Sequence, residues 1–128
     1  GVYGMSRGVS VDFRDIENEA LAGGTHAQMA LDIYHYLTAS YVAKCAVAMG
    51  GIDVLTFTAG VGEKGPISRK AICDQLEFFG VKIDDEKNKI RGEEVEISAE
   101  DSKVKVYVVP TNEELMIARG LRDVLSNP

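Results

Sequence analysis

The chain contains no tryptophan, two cysteines, two histidines and three prolines in 128 residues. Each scarcity excludes something. Two cysteines, Cys45 and Cys73, are too few for a disulfide framework. Both fall in helical apolar patterns, so buried free thiols in a reducing, cytoplasmic setting are expected. Two histidines without neighbouring cysteines give no metal-ligand spacing, and no Ser-His-Asp set suggests itself. Basic residues are outnumbered, 14 against 20 acids, for a net charge of −6. A nucleic-acid partner needs a basic face, so none is expected. No stretch approaches the ~20 apolar residues of a membrane span, and the opening residues lack the charged-then-apolar order of a secretory signal. No membrane partner is expected either.

What is present describes an ordinary globular chain, 45% hydrophobic and 27% charged. Its length suits one domain over residues 1–128 with no internal boundary, able to bury roughly two thirds of its unfolded surface. The opening, GVYGMSRGVSVDFRD, is turn-rich without an obvious strand partner and reads like the middle of a larger protein.

Helix and strand periods alternate along the chain. A short helix is expected over Ile16 to Leu21, ended by Gly23-Gly24. Thr25 and Gln28 have capping-box spacing, and a long helix is expected from there to about Met49, stopped by Gly50-Gly51. That helix is apolar almost all round. Ala30, Ile33, Leu37, Tyr41 and Cys45 make one stripe, widened by Leu31, Tyr34 and Val42, so burial on several sides is expected. His26 is expected in solvent, and His35 is expected to bond Asp32 one turn away. Val54 to Thr58 reads as a buried strand, and Pro66 opens a helix with Ala71, Ile72, Leu76 and Phe79 inward, ended by Gly80. Val81 to Ile83, Val95 to Ile97 and Val104 to Val109 read as further strands around a charged segment, DDEKNKIRGEE. Thr111 and Glu114 have the spacing to cap a last helix lined by Leu115, Ala118, Leu121 and Leu125. Strands alternating with helices imply an α/β layered domain.

The stretch TFTAGVGEKGP carries the chemistry. A Walker-type phosphate loop is excluded, because Pro66 stands where its lysine must reach the phosphates. Gly60, Gly62 and Gly65 also spell the dinucleotide fingerprint GxGxxG between strand and helix, with Asp84 about 20 residues on as the ribose acid. Locally, a turn that merely needs positive φ fits as well. The long apolar helix adds a third reading, a non-catalytic dimerisation module.

From GVSVDFRDIE through AMGGIDVLTFTAGVGEKGP and DEKNKIRGEE to SKVKVYVVPTNEELMIARG, the chain resembles the C-terminal part of the acetate kinase family, in order and with matching spacing. The resemblance implies part of a ribonuclease-H-like (actin-like ATPase) domain, a mixed sheet flanked by helices. It implies phosphate transfer between ATP and a short-chain carboxylate, acetate by preference, giving acetyl phosphate and ADP with Mg²⁺. By the same resemblance, Asp12, Phe13 and Arg14 flank the adenosine. Gly60, Val61, Gly62, Glu63 and Lys64 form the adenosine and phosphate loop, and Glu113 helps hold the magnesium. Helix-dipole stabilisation alone also accounts for an acid at Glu113, and a loop ion pair or helix cap accounts for Asp12 and Arg14. Lys64 departs from the family's asparagine: an ammonium donates but cannot accept. The family's catalytic groups lie upstream of the matched segment, so no catalytic residue is expected here and the chain alone is expected to be inactive. A homodimer joined through this C-terminal domain is also implied.

Overall fold

The computed structural model describes residues 1–126. The chain opens with α1 (Val2–Met5), α2 (Phe13–Leu21), the long α3 (Thr25–Met49) and the first strand, β1 (Val54–Phe57). Then come α4 (Ala59–Lys64), α5 (Pro66–Asp74), β2 (Val95–Glu96), β3 (Lys105–Val108) and α6 (Glu113–Ser126). Short 3₁₀ turns at Glu77–Phe79 and Lys87–Lys89 lie between α5 and β2.

The sheet is mixed, in the order β1-β3-β2. β1 runs parallel to β3, pairing Val54 with Lys105 and Phe57 with Val108, while β2 runs antiparallel to β3. The period of two sorts the side chains. Leu55, Phe57, Val106 and Val108 turn toward a core completed by Ile72, Cys73 and Leu76 of the α5 region and Ala39 of α3. Val54 and Lys105 are exposed on the other face, where Glu96 accepts from Lys105 Nζ at 2.7 Å and from Tyr107 Oη at 3.1 Å. The expected buried strand at 54–58 is therefore half-buried. Val81 and Ile83 make only isolated bridges, to Val104 and Ser98.

A second, smaller core joins α2 to the first half of α3 through Ile16, Ala27 and Leu31. Phe13 meets Tyr34 edge-on, with ring centroids 4.8 Å apart at 62°. The turn between the helices is close. A Cβ on Gly24 would lie 2.7 Å from Glu19, so only glycine fits.

Several local expectations change. Thr25 is the first helical residue of α3 rather than its cap, Gly24 holds the cap position, and Gln28 bonds Asp32 at 2.7 Å. The α3 stripe is also different: Ala27, Ala30, Leu31, His35, Ala39 and Ala46 are buried, whereas Leu37, Tyr41 and Cys45 are exposed. In a helix apolar on every side, periodicity does not choose a face. The choice falls to size, and four alanines allow the close approach. Asn112, not Thr111, caps α6, its Oδ1 accepting from Leu115 N at 3.0 Å. Every described side chain of α6 is exposed. Among the described residues no helix is long and apolar enough to cross a membrane.

Candidate functional site

The glycine stretch is a short helix, not the loop its composition implies. Thr58 is extended, Ala59 takes a left-handed φ of 58°, and α4 follows at once. Left-handed alanine costs roughly 1–2 kcal/mol, so surrounding bonds must hold it. Thr111 does so from just past the neighbouring parallel strand β3. Its Oγ1 accepts from Ala59 N at 3.2 Å and lies 2.7 Å from Thr58 Oγ1. Its own amide donates to Glu63 Oε1 at 2.7 Å. That amide holds the Glu63 carboxyl below its usual range.

The three glycines serve different ends. Added side-chain carbon at Gly65 would meet Val61 O at 2.6 Å, and at Gly62 it would meet the Phe57 backbone at 3.2 Å. Both are packing requirements. At Gly60 nothing lies within 4 Å, because it faces a cavity.

Arg69 fastens this segment from beneath. It is fully buried and uses its whole donor fork. Nε donates to Asn88 Oδ1 at 2.8 Å, and Nη1 donates to Gly62 O and Glu63 O at 2.8 and 3.0 Å. Nη2 reaches Asn88 O and Ile90 O at 2.7 and 2.9 Å. Gly92 N then donates to Glu63 O at 3.0 Å, so the backbone on both sides of Arg91 is anchored. Burial draws the Arg69 pKa down from its ordinary value, with Arg91 adding to the effect. Sequence reasoning gave Arg69 no role. Its partners lie up to 21 residues away, beyond any local pattern.

On the facing side, Asp12 caps α2 by accepting from Arg14 N at 2.9 Å. It also pairs with the Arg14 side chain, Nη2 to Oδ2 at 2.7 Å. The Arg14 side-chain bond, with its amide bond next, brings the Asp12 carboxyl down to about 2.

Between the two sides lies a cavity of about 350 Å³. Asp12, Phe13 and Arg14 line it from α2, and Gly60, Val61 and Lys64 from α4. Of the expected contact residues, Gly62 and Glu63 are not in its lining: Glu63 turns to Thr111, and Gly62 packs on Phe57. Gly65, marked in the sequence only by the dinucleotide spacing, lines it too, as do Glu17 and Arg91, which were not singled out from the sequence. Glu113 begins α6, two residues beyond the Thr111 that holds the start of α4.

Two further expectations are corrected. His35 does not bond Asp32. Its Nε2 lies 3.0 Å from Ser68 Oγ, 33 residues away, and burial lowers its pKa. Asp84, required beside the glycines by the dinucleotide reading, instead accepts from the amides that lead into the 3₁₀ turn, Glu86 N at 2.9 Å and Lys87 N at 3.1 Å. That reading fails.

A mixed sheet flanked by helices, with the glycine segment leaving β1 at the cavity, places the chain among the α/β folds of the acetate and sugar kinase, actin and heat-shock ATPase type. Solved structures of that class superpose on it. Porphyromonas gingivalis acetate kinase matches 98% of this chain and 31% of its own at TM-score 0.88 and 46% identity. A propionate kinase from Francisella tularensis covers 93% of this chain and 30% of its own at TM-score 0.83 and 34% identity. Among curated proteins, the acetate kinase of Thermotoga petrophila is 56% identical over 127 residues, 98% of this chain and 32% of that protein. Residues 1–119 match the Acetokinase family, and the chain belongs to it. It spans about a third of the length of the relatives it matches, 32% for the Thermotoga petrophila protein.

Proposed function

We propose that this chain forms the nucleotide side of an acetate kinase, holding the adenosine end of ATP or ADP in the cavity between α2 and α4. The observation that carries this reading is the meeting of Asp12, Phe13 and Arg14 with Gly60, Val61 and Lys64 around one cavity. The family resemblance implies that both segments contact the adenosine. Phe13 and the Arg14 plane offer flat surfaces for a base, and Gly60 lets a ligand approach the backbone.

Transfer of a phosphoryl group to acetate asks for positioning and charge stabilisation rather than covalent chemistry by the protein. In this reading the acceptor-positioning and phosphate-facing groups come from polypeptide outside these residues, and the chain alone makes no acetyl phosphate. Glu113 is the residue that would hold Mg²⁺. Among the described residues no group of three His, Cys, Asp or Glu forms a metal cluster. Glu113 is exposed at the start of α6, and an ion that takes one or two carboxylates and fills its shell with phosphate and water asks no more of the protein. When bound, Mg²⁺ would neutralise charge on the transferring phosphates.

The Lys64 side chain makes no hydrogen bond or ion pair among the described residues. As a donor-only group at the base edge it weakens discrimination among purines. Lys64→Asn in the longer enzyme is expected to sharpen ATP preference in relative kcat/KM.

The reading includes a homodimer and a cytoplasmic location. Tyr36, Leu37, Tyr41 and Val47 leave α3 with an exposed apolar face, and a two-fold pairing would cover it. Two free thiols suit a reducing compartment.

The test is acetyl phosphate formation from ATP, acetate and Mg²⁺, with light scattering beside it. No turnover by the chain alone, and a dimer at micromolar concentration, are expected. Turnover on the order of 1–100 s⁻¹, typical of kinases, would place the catalytic groups within these residues and overturn the half-site reading.

A further inference from the structure

Glu17 lies one turn beyond Phe13 on α2 and belongs to the wall of the cavity between α2 and α4. On its other side is a second cavity of about 110 Å³, lined by Leu31, His35, Ile67 and Ala71 among others. Its carboxylate is tethered: Ser68 Oγ donates to Glu17 Oε1 at 3.3 Å. Ser68 Oγ is also 3.0 Å from His35 Nε2. These two bonds have only one consistent direction. A carboxylate accepts and never donates, so the single Ser68 proton goes to Glu17. The Ser68 oxygen must then accept from a protonated His35 Nε2, which fixes the imidazole tautomer.

The relay joins three helices, His35 on α3, Ser68 on α5 and Glu17 on α2. Ser68 and His35 are only 1% and 4% exposed, so the relay is screened from water. A buried pair of this kind aims a carboxylate more firmly than a surface contact does. Only Oε1 is engaged. Oε2 has no hydrogen-bond or ion-pair partner among the described residues.

The aimed oxygen selects a donor. A phosphate is itself an anionic acceptor and is repelled by a carboxylate. A free cation competes poorly beside Arg14, Lys64 and Arg91, which line the same cavity. A neutral pair of hydroxyls suits the site, since two adjacent O–H groups can donate to one carboxylate. An acid that reads a ribose in this way is known from dinucleotide folds, where it follows a different strand and helix.

We infer that Glu17 is a sugar-specificity residue, its carboxylate accepting from the vicinal ribose hydroxyls of the bound nucleotide, with Ser68 and His35 as positioning residues. The inference rests on the nucleotide reading of the cavity and adds a contact that reading did not contain.

The test is a titration of the 128-residue chain with ADP, 2′-deoxy-ADP and 3′-deoxy-ADP, followed by amide chemical shifts. One hydrogen bond to a charged acceptor corresponds to about a tenfold change in Kd. The parent chain is expected to bind ADP about tenfold more tightly than at least one deoxy analogue. Glu17→Ala should reduce that ratio to about one. Ser68→Ala, which frees the carboxylate without removing it, should reduce it only in part. If Glu17→Ala does not fold, Glu17→Gln supplies the readout, since it keeps the shape and removes the charge. A merely structural role would weaken all three nucleotides together and leave the ratio unchanged. Equal binding of all three by the parent chain, or a ratio preserved in both Glu17 variants, overturns the inference alone. A parent chain that binds no nucleotide overturns the cavity reading and this inference with it.

Discussion

The two walls of the cavity are built by opposite means. The glycine wall is bolted from behind. Arg69 spends every donor on backbone and amide oxygens beneath it, and Thr111 and Glu63 clamp its upper end. The α2 wall is held at its tip by an exposed ion pair two residues apart, Asp12 with Arg14, whose side chains are 39% and 80% exposed. The difference teaches how the site divides its labour. The wall that presents bare backbone at Gly60 relies on long-range anchors to fix it, whereas the wall that presents Phe13 and Arg14 is carried by a capped helix. Buried and surface bonds differ accordingly in strength.

The sharpest way to break this comparison is Arg69→Ala. It strands the oxygens of Gly62, Glu63, Asn88 and Ile90 in the interior and leaves a cavity. A loss of at least about 3 kcal/mol in urea unfolding is expected. Arg69→Lys should recover little, because an ammonium cannot span the five-donor fork. A loss within the ordinary surface range would mean that Thr111 and Glu63 alone hold the glycine wall.

The next effect separates glycines within one wall. Gly65→Ala places a methyl 2.6 Å from Val61 O and should cost about 1–3 kcal/mol. Gly60→Ala meets nothing within 4 Å and should leave stability within about 1 kcal/mol of the parent while obstructing the cavity. Equal stability losses from the two would contradict the division between packing and ligand-facing glycines.

The smallest effect belongs to the α2 tip. Asp12 has its folded pKa lowered from 3.8 to about 2, chiefly by the Arg14 side chain. A depressed carboxylate contributes stability that is present above its unfolded value and lost as pH falls through its folded one. The difference between the parent and Asp12→Ala should therefore be constant from neutral pH to about 4 and shrink toward pH 2. Thermal melts across that window read it. A difference that grows on acidification would show the opposite linkage.

These contrasts also explain which parts were legible in the sequence. The bounds of α3, the proline start of α5 and the strand at β3 follow from local letters, since glycine, proline and alternation act within a few residues. The Asp12 and Gly60 segments were marked through the family resemblance rather than by local letters, and the fold brings both to one cavity. The rest depended on distance in the chain. His35 took Ser68 as its partner in place of Asp32, and Thr111 left the capping role to Asn112 because its hydroxyl was needed at Ala59. Arg69 looks in the sequence like any helix-surface arginine. Only the folded chain brings the 88–92 segment beneath the glycines. The short α4 was hidden by its composition, as two glycines within its six residues and a third just after them read as a loop.

The central claim is that the two walls hold a nucleotide between them, and ADP titration of the parent chain followed by backbone amide shifts tests it most directly. The account predicts weak, saturable binding, because half a cleft buries little of the ligand. The shifts should concentrate at residues 12–17 on one wall and at 60–65 and Arg91 on the other. No saturable shift at millimolar ADP, or shifts gathered on the exposed face of α3 around Tyr36 and Tyr41, would contradict it.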